Sequence, residues 1–153
     1  MGLVSNLKVK SILPKIYSPL SHAEAVNIHP NLILVGLCDT SDLALKNAKK
    51  IYPQVPTFKD PEKFFKEISL DIVCIATRTP ERFKLIKLCL KNGIKLMHLE
   101  KPLCNSLIQL KEISKLIKKN NAHCTFGTLR RYLSTYKTAI NFLKEGMIGE
   151  LKE

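Results

Sequence analysis

The chain has 153 residues with 45% hydrophobic content, enough for one packed domain with its own core. No run of about 18 uninterrupted apolar residues occurs, and the opening MGLVSNLKVK lacks the apolar centre of a signal peptide, so a soluble cytoplasmic protein without a membrane span is expected. The formal net charge of +12 would suit an anionic partner. Its lysines, however, recur on the polar faces of predicted helices without a nucleic-acid motif or interleaved aromatics, so the expectation is a solvated surface and not nucleic-acid binding.

In chain order, "NLILVGLCD" reads as a buried strand ending at Asp39, followed by a helix from Ser41 or Asp42 to about Tyr52. "PTFKD" is a short strand or turn, and Asp60-Pro61 then supplies an N-cap and a first-turn proline for the next helix. "LDIVCIAT" is continuously apolar, as the middle of a parallel sheet requires. Thr79-Pro80 repeats the cap-plus-proline signal for a helix with Phe83, Ile86 and Leu90 on one face, stopping at a left-handed cap at Asn92-Gly93. After the strand "IKLMHLE", Ser106 and Gln109 form a capping box for a helix striped by Leu110, Ile113 and Ile117. The strand "AHCTFGT" and a helix over 134–144 complete the series, and Gly146 and Gly149 shape the turn in "EGMIGE".

This alternation implies an α/β fold, a Rossmann-like doubly wound and mostly parallel sheet with helices on both faces. The strands end at Asp39, Thr77, Glu100 and Gly127, and ligands of open α/β sheets bind beyond those ends. Cys38, Cys74, Cys89, Cys104 and Cys124 form no CxxC pair, and several lie in apolar runs, which points to reduced, mostly buried thiols. No His, Cys and carboxylate set has metal-ligand spacing along the chain, so no metal is implied.

At "LEKPLCNS", Glu100-Lys101-Pro102 directly after a strand resembles the E-K-P signature of the glucose-fructose oxidoreductase and inositol dehydrogenase (Gfo/Idh/MocA) family. "SHAEAVNIHPNLILVGLCDTSD", "LDIVCIAT" and "FGTLRRYLSTYKTAINFLKEGMIGELKE" are similar to other segments of that family in the same order, so the resemblance covers about 18–153. It implies the NAD(P)-binding domain of a sugar or polyol oxidoreductase, with NAD or NADP as cofactor and a sugar-like small molecule as substrate. By the same resemblance, Asp39 would accept from the adenosine ribose hydroxyls, favouring NAD; as a residue type it reads equally well as a helix-start acid. Lys101 would stand near the nicotinamide and the substrate hydroxyl as the catalytic residue, against the alternative of a loop lysine in solvent. His22, Thr77, Glu100 and Pro102 fall at cofactor-side positions, Pro102 with a cis peptide before it, and Arg131 of "LRRY" at a substrate-side position where a solvated arginine is the alternative. His29, His98 and His123 match no role and read as structural.

Two departures qualify the resemblance. Thr77 is followed by Arg78 instead of the family's proline, and Arg82 stands where a histidine is usual, so packing on the nicotinamide side is expected to differ. Without gaps, the family's three loop glycines fall on Pro14, Ile16 and Pro19. Proline has no N–H for a phosphate oxygen, Ile16 puts a branched side chain where backbone must meet pyrophosphate, and none tolerates positive φ. The strand "VKSIL" before them carries Lys10 and Ser11 where a central strand should be apolar. The expected organisation is therefore a degenerate or inserted segment over 1–17, a Rossmann-like domain over 18–153 whose first strand is degenerate or missing, Ser18-Pro19 or Ser21 with Glu24 capping its first helix, and no C-terminal substrate domain. The chain then reads as a fragment of an oxidoreductase with little turnover alone, or as a non-catalytic module that pairs with an active homologue in a homo- or hetero-oligomer.

Overall fold

The computed structural model describes residues 19–128, 132–150 and 152. Helices α1 (His22–Ile28), α2 (Asp42–Ile51), α3 (Pro61–Glu67), α4 (Thr79–Lys91), α5 (Leu107–Lys119) and α6 (Ser134–Lys144) alternate with strands β1 (Leu37–Cys38), β2 (Thr57–Phe58), β3 (Ile72–Ile75), β4 (Leu96–Leu99) and β5 (His123–Phe126). All the pairings are parallel, β1 with β2 in one sheet and β3-β4-β5 in another. The segment "VKSIL" and the positions Pro14 and Ile16 lie outside the described residues.

Local chemistry sets most of the boundaries. The Ser21 hydroxyl accepts from Glu24 N at 3.1 Å, so Ser21, of the two candidates, caps α1, and the Glu24 carboxylate reaches back to Leu20 N at 3.0 Å. Ser41, Asp60 and Ser106 cap α2, α3 and α5 with their side chains, as their residue types dictate. Helix α4 differs from the expectation: Arg78 occupies the cap without a side-chain bond, and Thr79 is already helical. The proline in that first turn fixes the start on its own, because its φ is set and its missing N–H would be unbonded there anyway. The helix closes as expected, with Gly93 at φ +78°.

The core packs α4 and α5 against β3 and β4, with Ile75, Ile86, Cys89, Ile94, Met97, Leu99, Ile113 and Ala122 buried. Leu110, placed on the α5 stripe by its spacing, is 42% exposed. A smaller cluster joins Ala23 of α1, Leu37 of β1 and Ala48 of α2. Along β4, Met97 and Leu99 face the larger core while His98 points the other way, where its ring lies 4.9 Å from that of His22. Side chains alternate across a strand, so this contact sets α1 on the opposite face of the sheet from α4 and α5.

Strand β3 is not central among the described residues. It pairs only with β4, leaving Ile72 44% exposed and Cys74 exposed. No described strand joins β1 to β3, which is where a doubly wound sheet places its first strand. The thiols are less buried than their apolar surroundings suggest: all five are free, but only Cys89 is fully covered. Burial still raises Cys38 to about 11 and Cys89 to about 12, with the charges of Asp39 and Asp60 adding to the effect at Cys38. These thiols carry little thiolate at neutral pH. No described helix is long and apolar enough to cross a membrane.

Candidate functional site

The carboxyl ends of β3 and β4 meet at a buried cation. Arg82, on the same face of α4 as Ile86 and Cys89, is 3% exposed. Its Nη1 donates to the carbonyl oxygens of Glu100 and Pro102, and its Nη2 donates to the carbonyl oxygen of Thr77. One guanidinium thus ties the end of β3 to the Glu100-Lys101-Pro102 loop, whose Lys101–Pro102 peptide is cis as the family resemblance implies. Burial lowers the Arg82 pKa and the Glu100 charge opposes that shift, yet an arginine stays cationic throughout. Among the described residues its Nε is buried with no hydrogen-bond partner. A planar donor fork suits this position, since it reaches several carbonyls that a single ammonium could not.

Glu100 is held from three sides. Its Oε1 lies 3.1 Å from His22 Nε2, and its Oε2 accepts from Lys101 N at 3.1 Å. The third side is Gly127 at the end of β5: a Cβ there would come within 2.5 Å of Glu100 Oε1. The carboxylate passes directly over the backbone there, so a side chain at position 127 would push it aside. His22 is thereby brought to Glu100.

His98, read as structural, belongs to the same group. Its Nδ1 lies 2.8 Å from Thr125 Oγ1 and its ring meets His22. Desolvation lowers its pKa, the neighbouring His22 lowers it further, and Glu100 opposes both. With a folded pKa below the ordinary 6.5, the unfolded chain binds the proton more readily. This contribution to stability is present above about pH 6.5 and is lost as pH falls through the folded value. Urea midpoints at pH 7.5 and 5.5 should accordingly differ less in His98→Leu than in the wild type; an unchanged difference would remove His98 from the cause.

The remaining sequence-derived residues are placed as follows. Asp39 ends β1, its N donating to Phe58 O at 3.0 Å while its Oδ1 accepts from Ser41 N at 2.9 Å. Its carboxylate thus closes a turn just ahead of α2, at the carboxyl edge of the sheet. Thr77 lies just past β3, its hydroxyl 3.3 Å from Arg78 O and its carbonyl on Arg82. Lys101 and Pro102 are exposed, so the Lys101 ammonium projects into solvent beside the loop. Arg131 lies outside the described residues.

Sequence reasoning registered Arg82 only as a departure from a family pattern and left His98 without a part. The signal for Arg82 was its position four residues before Ile86, on the buried face. For His98 it was a polar residue inside the strand run "IKLMHLE". Spacing along the chain does not show that the fold brings His22, His98 and Glu100 together, with one ligand atom of each within 4.8 Å of the others.

Comparison with known proteins fits this geometry. Residues 17–128 match the family model GFO_IDH_MocA, described as "Oxidoreductase family, NAD-binding Rossmann fold". The uncharacterized oxidoreductase YdgJ of Escherichia coli is 29% identical over 146 residues, covering 95% of this chain and 41% of that protein. The scyllo-inositol 2-dehydrogenase (NAD(+)) of Bacillus subtilis is 32% identical over 92 residues, covering 60% and 27%. Among solved structures, the myo-inositol 2-dehydrogenase of Lactobacillus plantarum superposes with a TM-score of 0.75 at 26% identity, covering 81% of this chain and 37% of its own. The chain thus spans at most about two fifths of the length of these relatives. A family match over most of the chain, an α/β fold of parallel strands and the E-K-P loop at the strand ends agree: the chain belongs to the Gfo/Idh/MocA oxidoreductase family, in the region of its NAD-binding Rossmann fold.

Proposed function

We propose that the chain is the dinucleotide-binding part of an NAD-dependent sugar or polyol oxidoreductase, in which hydride passes between nicotinamide and a sugar-like carbinol. The observation that carries this reading is the loop 100–102, clamped by Arg82 at the carboxyl edge with the Lys101 ammonium left exposed. Beside the nicotinamide, that ammonium would lower the cost of alkoxide charge as the carbinol proton leaves. Asp39, at the end of β1, would accept from the adenosine ribose hydroxyls and repel a 2′-phosphate, which favours NAD over NADP. The bound cofactor supplies the hydride acceptor; the protein supplies position and charge. Turnover further requires a substrate-binding domain, and the proposed boundaries are 18–153 for the nucleotide domain with 1–17 as a separate segment.

The missing loop glycines bear on affinity. With Pro14, Ile16 and Pro19 at the positions of the family's loop glycines, NAD binding by these 153 residues alone is expected to be weak. Titration calorimetry should give a dissociation constant above about 100 μM for NAD, roughly 5 kcal/mol of binding free energy or less, and weaker binding still for NADP. Low-micromolar NAD binding would overturn the reading of the loop, and preference for NADP would overturn the role of Asp39.

One observation favours a second reading, a non-catalytic module that pairs with an active homologue. Helix α6 buries none of its residues and exposes Tyr136, Ile140 and Phe142. Size-exclusion chromatography separates the two: elution as a stable monomer, alone and with the homologue, counts against the module.

A further inference from the structure

We propose that His22, His98 and Glu100 form a binding site for a divalent transition cation of the zinc class. One ligand atom from each of the three lies within 4.8 Å of the others, although 76 positions separate the two histidines. Two imidazoles and a carboxylate are a donor set zinc accepts, and three protein ligands leave a fourth place for water. With bonds near 2.1 Å, neighbouring donors of a tetrahedral ion stand about 3.4 Å apart. His22 Nε2 and Glu100 Oε1, at 3.1 Å, already match that spacing. The widest separation, up to 4.8 Å, must contract by about 1.4 Å for all three donors to reach one ion.

The surroundings orient the donors as metal ligands require. In the tautomer whose Nδ1 donates to Thr125 Oγ1, 2.8 Å away, His98 Nε2 keeps its lone pair for the ion. Glu100 Oε2 is engaged by Lys101 N, so Oε1 is the oxygen that faces His22. The His22 and Glu100 side chains keep 33% and 29% of their surface exposed, which gives the ion a way in. Arg82, bonded to the Glu100 carbonyl, adds a positive charge close by. Micromolar affinity is therefore expected, not the tighter binding of structural zinc sites. The site shares His22 and Glu100 with the cofactor edge proposed above, but metal binding is titrated without dinucleotide, so either reading can fail without the other.

The test uses the full chain, reduced, with Co2+ as the spectroscopic probe and Zn2+ as competitor. One equivalent of Co2+ should give visible absorption of tetrahedral or five-coordinate type, displaced by Zn2+. His98→Leu should weaken binding at least about tenfold, and His98→Gln, which keeps size and polarity, should do the same with unchanged circular dichroism. Wild-type affinity in both variants, a thiolate-to-cobalt charge-transfer band, or no saturable binding up to millimolar Co2+ would each overturn the proposal.

Discussion

Arg82→Ala is expected to lower the unfolding free energy by roughly 3–5 kcal/mol, because it removes the donor from the carbonyls of Thr77, Glu100 and Pro102 and leaves a cavity beside them. Buried polar groups that lose their partner cost far more than the net worth of the bond they made. Arg82→Lys should recover only part of the loss, since one ammonium cannot span three carbonyls. Urea unfolding followed by circular dichroism reads both values. A loss below about 1 kcal/mol for Arg82→Ala, in the range of ordinary surface substitutions, would mean that the guanidinium does not hold the loop.

Ile86→Ala, one turn along the same helix, should cost about 2–5 kcal/mol for a different reason. Ile86 is fully buried between α4 and the sheet, so truncation combines lost transfer energy with the cavity left behind. The cost is purely apolar, and the Glu100-Lys101-Pro102 loop should keep its conformation. Arg82→Ala should instead broaden or shift the amide resonances of Glu100 and Lys101 well below the unfolding transition. Similar stability loss with different spectral consequences separates a core residue from one that positions the site. Identical spectra for the two variants would remove that distinction.

Much of the fold was legible because its signals are local. Ser41, Asp60 and Ser106 are caps wherever they stand before an amphipathic run, and Asn92-Gly93 ends a helix through the glycine's backbone freedom. Thr79 misled because two features, a cap-type residue and a proline, coincided one position late for the cap. The centrality of "LDIVCIAT" was read from its apolar run, and that composition belongs to a strand whose second neighbour is not among the described residues. The site divided along a different line. Glu100, Lys101 and Pro102 are contiguous, so they could be recognised as a motif. Arg82, His98 and Gly127 join the site only through contacts across 18, 76 and 27 positions, to Glu100, His22 and Glu100 respectively. One-dimensional spacing carries no trace of these.

The proposed function places the dinucleotide along the strand ends at Asp39, Thr77 and Glu100. Amide chemical-shift mapping of the isotopically labelled chain with NAD at millimolar concentration tests it most directly, because weak binding still leaves a located footprint. The largest shifts are expected at Asp39–Ser41, Thr77–Arg78 and Glu100–Lys101, with little change at the lysines of α2. Shifts concentrated on Lys46, Lys49 and Lys50, or none at the strand ends at any concentration reached, would contradict it.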